Sequence, residues 1–130
     1  MPVISLVNGQ RKHRIPSAMI VSRVTEAAAR LKLNLDHLSV VFVSAQRMRR
    51  LHLQFLGKSS LTDVITFVNS DIIVCPLVAS QNAKRLRLPY HKELLLYVFH
   101  GLLHLAGYDD KQDKDIAQMR MMEKVLMKGL

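Results

Sequence analysis

The stretch from His91 to Ala106 constrains the fold of this chain more than any other. Drawn as a helix it is apolar on nearly all sides, so we expect it to be buried in the middle of the fold. His100 and His104 are four residues apart and therefore lie on one face of that helix. Gly107 can end the helix with a positive φ and let the chain turn back towards the two imidazoles. This pattern predicts a three-ligand metal site with an open fourth position.

Two adjacent carboxylates follow the turn, and the spacing alone does not decide which one reaches the histidines. Asp110 has the position of the third histidine in the metzincin motif, His-Glu-x2-His-x2-Gly-x2-His, so we expect a metzincin-like metal-binding helix and turn. Asp109 is either a competing ligand or a partner for a histidine N–H. Gly101 stands where the proteases carry their general-base glutamate, which argues against peptidase chemistry. His100, His104 and Asp110 favour one Zn²⁺ ion, with Mn²⁺ or Mg²⁺ as alternatives that a carboxylate admits.

The remaining sequence alternates between strand and helix patterns. We expect four strands, at 2–7, 38–43, 64–68 and 71–75, with a turn at Asn69-Ser70. We expect helices at 17–32, at 45–56, from Pro76 until Pro89 breaks it, at 91–106 and at 113–128. This order predicts one α/β (α+β) domain over residues 1–130, with a four-stranded mixed sheet and helices packed on it.

Four residues outside the histidine stretch each have two interpretations. Glu123 lies on the apolar stripe of the last helix and is either a hydrogen-bond partner of a ligand or half of a salt bridge. Asp71 either orients a ligand or simply marks the end of a strand. Phe67 and Tyr108, both near the proposed site, are candidates for base stacking, with core packing as the alternative.

The charge of the chain indicates a polyanionic partner. Nineteen Lys and Arg residues face ten Asp and Glu residues, and the formal net charge of +9 favours RNA or DNA over an anionic membrane. Candidate contacts to the nucleic-acid backbone are Arg47, Arg49, Arg50 and Lys58. A solvated helix face explains the three arginines equally well.

The compartment is predicted from three simpler features. A lone cysteine, Cys75, excludes an internal disulfide and fits a reducing environment. Every apolar run is far shorter than the ~20 residues needed to span a bilayer. The N-terminal residues lack a charged leader ahead of an apolar core, so we expect a strand there rather than a signal peptide. These features predict a cytoplasmic protein.

Several motifs together resemble one known family. His-Gly-Leu-Leu-His-Leu-Ala-Gly-Tyr-Asp-Asp, residues 100–110, resembles the YbeY signature, His-Gly-x-Leu-His-Leu-x-Gly-Tyr-Asp-His. Residues 62–67 are similar to the family's Thr-Asp-Val-Leu-Ser-Phe, and residues 70–74 to its Gly-Asp-Ile-x-Ile strand. Met119 and Glu123 match the Met and Glu of its C-terminal helix.

The resemblance covers about residues 40–128 and implies a function. It implies a zinc-dependent endoribonuclease that cleaves single-stranded RNA in ribosomal RNA maturation, especially at the 3′ end of small-subunit RNA, and in ribosome quality control. Asp110 stands where the family has a histidine, and Leu56 stands where it has an arginine. Lys58, the nearest cation, is the candidate to take over part of that arginine's catalytic role, although an ammonium lacks the bidentate fork of a guanidinium. Because of Leu56, a second function is also considered, that of a non-catalytic assembly factor that binds RNA or the ribosomal small subunit.

Overall fold

The computed structural model describes residues 2–67 and 70–130. In chain order its elements are β1 (Val3–Asn8), α1 (Ser17–Arg30), β2 (His37–Phe42), α2 (Ala45–Leu56), β3 (Val64–Phe67), β4 (Asp71–Val74), α3 (Pro76–Leu86), α4 (Tyr90–Leu105) and α5 (Asp113–Met127). The expected order of elements is confirmed. Two helices end earlier than expected, α1 at Arg30 rather than at residue 32 and α3 at Leu86 rather than just before Pro89. Val68, the expected end of the third strand, and Asn69 of the expected turn lie outside the described residues.

The four strands form one mixed sheet in the order β1-β2-β4-β3. β1, β2 and β4 run parallel, because helices provide the long crossovers that parallel neighbours need. β3 pairs with β4 in the antiparallel sense, with Ile65 opposite Ile73. The α+β fold with a four-stranded mixed sheet is therefore confirmed.

α4 lies at the centre of the fold and contacts β3, β4, α1, α3 and α5. Leu94, Leu95, Leu102 and Leu103 are fully buried on it. Each such side chain contributes about 1.5–3 kcal/mol by leaving water. The expected burial of this helix is confirmed. The packing of α4 fixes the position of its two histidines relative to the sheet.

Gly101 explains how closely α4 approaches the sheet. A Cβ added at this position would lie 2.6 Å from Cγ2 of Ile72 and 3.1 Å from Oγ1 of Thr66. Real Cβ atoms do not tolerate the shorter contact, so the helix rests on β3 and β4 through a residue without a side chain. Sequence reasoning interpreted Gly101 only as a missing catalytic glutamate and did not find this packing role.

The end of α4 makes the expected turn. Gly107 has a φ of +100°, in the region that favours glycine. The N–H of Gly107 donates to the carbonyl of His104, and the N–H of Tyr108 donates to the carbonyl of Leu103, each at 3.0 Å. The turn reverses the chain and carries the next two aspartates back towards the histidines.

Candidate metal centre

Three side-chain atoms converge beside the end of α4. Nε2 of His100 lies 3.1 Å from Nε2 of His104. Oδ2 of Asp110 lies 3.4 Å from the first of these nitrogens and 3.5 Å from the second. A tetrahedral ion with ligands at about 2.0–2.2 Å separates its ligand atoms by about 3.3–3.6 Å. The triangle therefore has nearly the dimensions that such an ion requires.

The turn assigns different positions to the two aspartates. Oδ1 of Asp109 accepts a hydrogen bond from the N–H of Asp110 at 2.8 Å, which braces the turn. The Asp110 side chain, 43% exposed, faces the two histidines. The structure thus brings together the three residues that the spacing predicted, and Asp109 supports the backbone beside them.

Glu123 on α5 forms hydrogen bonds at the buried side of this centre. Its Oε2 accepts a hydrogen bond from Nδ1 of His100 at 2.7 Å, and its Oε1 accepts one from Nη1 of Arg120 at 2.7 Å. Glu123 is buried, whereas the Arg120 side chain is 62% exposed. Glu123 thus contacts His100 and pairs with Arg120 at the same time. Arg120 was missed, although its spacing of three residues from Glu123 on one helix was a usable signal.

The hydrogen bonds around His100 determine its electrostatic state. The bond to Glu123 raises the pKa of His100, against burial, which lowers it. For Glu123, burial raises the pKa, but the hydrogen bonds from His100 and Arg120 outweigh that effect and hold its pKa below the usual value. An ionised Glu123 can only accept, so Nδ1 of His100 carries a proton, and in the neutral imidazole Nε2 keeps a lone pair. That lone pair points at the other two atoms of the triangle.

The triangle opens into a cleft of about 700 Å³. The walls come from the C-terminal end of α2, the segment leading into β3, β3 itself and the end of α4; besides the triangle they are Phe55, Leu56, Thr62, Asp63, Val64, Ile65, Thr66, Phe67 and Leu105. Among the described residues that line the cleft there is no lysine or arginine. Leu56, the residue at the family's arginine position, is 56% exposed there.

Asp63 is a cleft residue that sequence reasoning did not assign. Its Oδ1 accepts a hydrogen bond from the N–H of Val64 at 2.8 Å. Its negative charge also contributes to the raised pKa of His100, after the nearer carboxylates. Its position directly before a strand that ends in the cleft was the available signal.

The predicted nucleic-acid contacts lie outside this cleft. Arg47, Arg49 and Arg50 are exposed on α2, and Lys58 is exposed just after it. Lys58 does not appear among the described residues that line the cleft, so its catalytic role stays a prediction. Asp71 begins β4, and in the described part of the chain no hydrogen bond or ion pair connects its side chain to the three ligand atoms. Its position matches a strand boundary.

The aromatic residues Phe55, Phe67 and Tyr108 differ in their surroundings. Phe67 lines the cleft, and Phe55, which sequence reasoning missed, packs edge-on against it with ring centroids 5.0 Å apart. Phe55 is 53% exposed, so much of its side chain is accessible from solvent. Tyr108 packs against the main hydrophobic core, and Phe67 also packs against a smaller buried cluster that includes Ile65 and Ile73.

The family of this chain follows from the similarity of its sequence to known proteins. The family model described as "Endoribonuclease YbeY" matches residues 6–130. The chain belongs to the YbeY family. The match begins well before residue 40, where the recognisable motifs start, so β1 and α1 belong to the family fold as well.

Curated relatives and a solved structure agree with this assignment. A protein named endoribonuclease YbeY from Thermotoga maritima is 42% identical over 64% of this chain, and the match spans only 60% of that relative's length. The one from Thermodesulfovibrio yellowstonii is 28% identical over 98% of this chain and 96% of its own. A solution structure of a Thermotoga maritima protein has a TM-score of 0.67 and 33% identity, covering 96% of this chain and 87% of that one.

None of the helices within residues 2–67 and 70–130 has the length and apolar character that crossing a membrane requires.

Proposed function

We propose that this YbeY-family chain is a metal-dependent endoribonuclease that hydrolyses phosphodiester bonds in single-stranded RNA. The convergence of His100, His104 and Asp110 at the base of an open cleft carries this proposal. Two imidazole nitrogens and one carboxylate oxygen fit Zn²⁺ or another late divalent metal. RNA is the proposed substrate because the curated relatives are named endoribonucleases and because the chain has a net charge of +9.

The chemistry that such an ion supplies is polarisation of a phosphoryl oxygen and activation of water. The side chains of this protein prepare the site for it. Glu123 holds the proton of His100 on Nδ1 and keeps Nε2 available, while Arg120 occupies the other oxygen of Glu123. Asp110 reduces the positive charge that a bound ion brings.

The cleft walls are suited to an unpaired base. Phe55 and Phe67 offer an aromatic surface within the same cleft as the histidines. A base can stack on such a surface only when it is not held in a duplex, and stacking is worth about 1–3 kcal/mol per base. This supports a preference for single strands over duplexes.

We further propose that the RNA is ribosomal, with the 3′ end of small-subunit RNA as the site of maturation, and that the protein works in the cytoplasm and in ribosome quality control. The support is the resemblance of residues 62–67 and 100–110 to the family motifs and the basic charge of the chain. Leu56 at the family's arginine position supports a rival proposal, an assembly factor that binds RNA without cutting it. The curated relatives, which are named endoribonucleases, do not favour this rival.

A test compares two histidines on one helix. His104→Ala removes a ligand, whereas His91→Ala changes an exposed residue at the other end of α4. Metal content is measured in protein purified without added zinc, and cleavage is measured on a labelled single-stranded RNA. We expect wild type and His91→Ala to hold about one ion per chain and to cleave, and His104→Ala to lose both properties.

The same experiment can reject the proposal. Cleavage that survives His104→Ala or a strong chelator would overturn the metal-dependent mechanism. Stoichiometric metal without cleavage would instead favour the assembly factor.

A further inference from the structure

We propose that a basic cavity at the opposite end of α2 is a second binding site for the phosphate backbone of single-stranded RNA. The inference rests on the proposed function and deepens it. It starts from the metal cleft, whose described lining has no lysine or arginine although its substrate would be a polyanion. The cations that hold the strand must therefore stand elsewhere on the surface.

The basic cavity has a volume of about 520 Å³ and lies between two segments that are far apart in sequence. The loop after β1 contributes Arg11 and Lys12, and α2 contributes Arg49. Among the described residues that line it there is no aspartate or glutamate, and none of these three cations forms an ion pair within that part of the chain. Three unneutralised charges around one concave surface attract phosphate groups.

The loop that presents two of these cations is fixed before any ligand binds. Nε2 of Gln10 donates to Oδ1 of Asn8 at 2.7 Å and to the carbonyl of His13 at 2.8 Å, and Oε1 of Gln10 accepts from the N–H of His13 at 2.8 Å. The N–H of Gly9 donates to the carbonyl of Phe42 at 2.8 Å. These bonds use the backbone and Gln10, and they leave the side chains of Arg11 and Lys12 exposed. A loop that is already ordered loses less entropy on binding.

α2 connects the basic cavity to the metal cleft. Arg49 lines the cavity and Leu56 lines the cleft. They are seven residues apart on one helix face, which is a rise of about 10 Å. A strand with a stacked rise of about 3.4 Å per nucleotide covers that distance in about three nucleotides. One RNA strand can therefore occupy both sites.

The test uses two double variants with the same change in charge. Arg11→Glu with Lys12→Glu alters the basic cavity, whereas Lys84→Glu with Arg85→Glu alters exposed cations near the end of α3. Both are made in the His104→Ala chain so that RNA is not cut. Fluorescence anisotropy then measures binding of a twelve-nucleotide single-stranded RNA and of a dinucleotide at several salt concentrations. Circular dichroism checks that each variant is folded.

We expect the cavity variant to bind the longer RNA on the order of tenfold more weakly and to lower the salt slope by about 1–2. The α3 variant should change affinity by less than about twofold, since it leaves the phosphate contacts intact. Binding of the dinucleotide, which is too short to reach from the cleft to the cavity, should be equal in both. Inorganic phosphate should compete only at concentrations far above those of the RNA.

Equal weakening by the two variants would assign the effect to net charge and overturn the site. Unchanged RNA binding by the cavity variant would also overturn it and leave an acidic protein as the better partner for this surface. Tight competition by inorganic phosphate would make the cavity a free-anion site and reject the RNA assignment.

If wild type cuts no RNA but the cavity variant alone loses binding, the nuclease proposal fails and the site stands. If wild type cuts RNA and both variants bind RNA equally, the second site fails and the nuclease proposal stands.

Discussion

The position of the central helix depends on a single absent side chain. In an open helix, replacing glycine by alanine stabilises by about 0.5–1 kcal/mol. At Gly101 the added Cβ would lie 2.6 Å from Cγ2 of Ile72, and overpacking of this kind costs about 1–3 kcal/mol. We expect Gly101→Ala to lower the free energy of unfolding by roughly 1–2 kcal/mol, measured by urea denaturation.

A double-mutant cycle separates this contact from other effects. Ile72→Ala removes both Ile72 atoms that lie near the added Cβ. In that background Gly101→Ala should lose most of its penalty. The same loss in both backgrounds would contradict the packing explanation.

Glu123 acts on the metal centre through His100. Glu123→Gln removes the charge that holds the proton on Nδ1 of His100, although the amide can still accept a hydrogen bond. Loss of such a partner typically lowers metal affinity by about 10–100-fold, and we expect a fall of that size. Competition with a chromophoric zinc chelator measures it. Glu26→Gln, an exposed change on α1, is the control, and equal affinities in the two variants would contradict the role of Glu123.

Single residues were predictable where the signal is local. The spacing of His100, His104 and Gly107 contains the helix-and-turn geometry, so the two histidines and the turn beside them could be predicted from sequence alone. Whether Asp109 or Asp110 faces the histidines depends on one backbone hydrogen bond in the turn, which the spacing does not encode.

At the scale of elements, the loop between α2 and β3 is tied to α2 by one buried histidine. Nδ1 of His52 lies 2.7 Å from the carbonyl of Ser60, and because a carbonyl only accepts, the histidine donates. His52 is 8% exposed. This bond restrains the segment that leads to Asp63 in the cleft wall.

His52→Ala should release that loop. Ser60 is exposed, so water can replace the lost partner, and the cost is that of an ordinary hydrogen bond, about 0.5–1.5 kcal/mol. We expect faster amide hydrogen exchange in residues 57–63, measured by mass spectrometry. His52→Asn is the matched variant, because its amide nitrogen can occupy nearly the place of Nδ1 and restore slow exchange. Unchanged exchange in His52→Ala would mean that other contacts hold the loop.

Element boundaries were predicted well because each has a local cause. The apolar run defines α4, and α2 begins after the N-cap Ser44, whose hydroxyl accepts from the N–H of Arg47 at 3.2 Å. The residues that were missed, Asp63 and Arg120, reach the site through the strand order β1-β2-β4-β3 and the packing of α5 on α4. Their local signals, a spacing of three residues on one helix and a position directly before a strand, do not show which site these residues reach, because that depends on long-range arrangements.

At the scale of the whole molecule, the charges and the chemistry occupy different places. The net charge of +9 predicted a polyanionic partner, yet the described lining of the metal cleft has carboxylates and histidines and no lysine or arginine. The cations of the basic cavity lie towards the opposite end of α2. In this arrangement the cleft is left to the metal ion, and a neighbouring surface binds the phosphate backbone of the RNA strand.

The metal centre also joins two parts of the molecule. His100 and His104 belong to α4, Asp110 belongs to the turn after it, and Glu123 anchors the centre to α5. An ion that binds only the folded chain stabilises it by about 2.7 kcal/mol at a hundred times its Kd. For a chain of this length that stabilisation raises the Tm by roughly 10 °C.

We therefore expect Zn²⁺ to raise the Tm of metal-free wild type and of His91→Ala by that amount, and to leave His104→Ala nearly unchanged. Differential scanning fluorimetry across a zinc titration measures the shift. Mg²⁺ at the same concentrations should give a smaller shift, because two imidazole ligands favour the later metal. An equal rise in His104→Ala would place the stabilising ion elsewhere on the protein, and no rise in wild type would mean that the three converging atoms hold no ion.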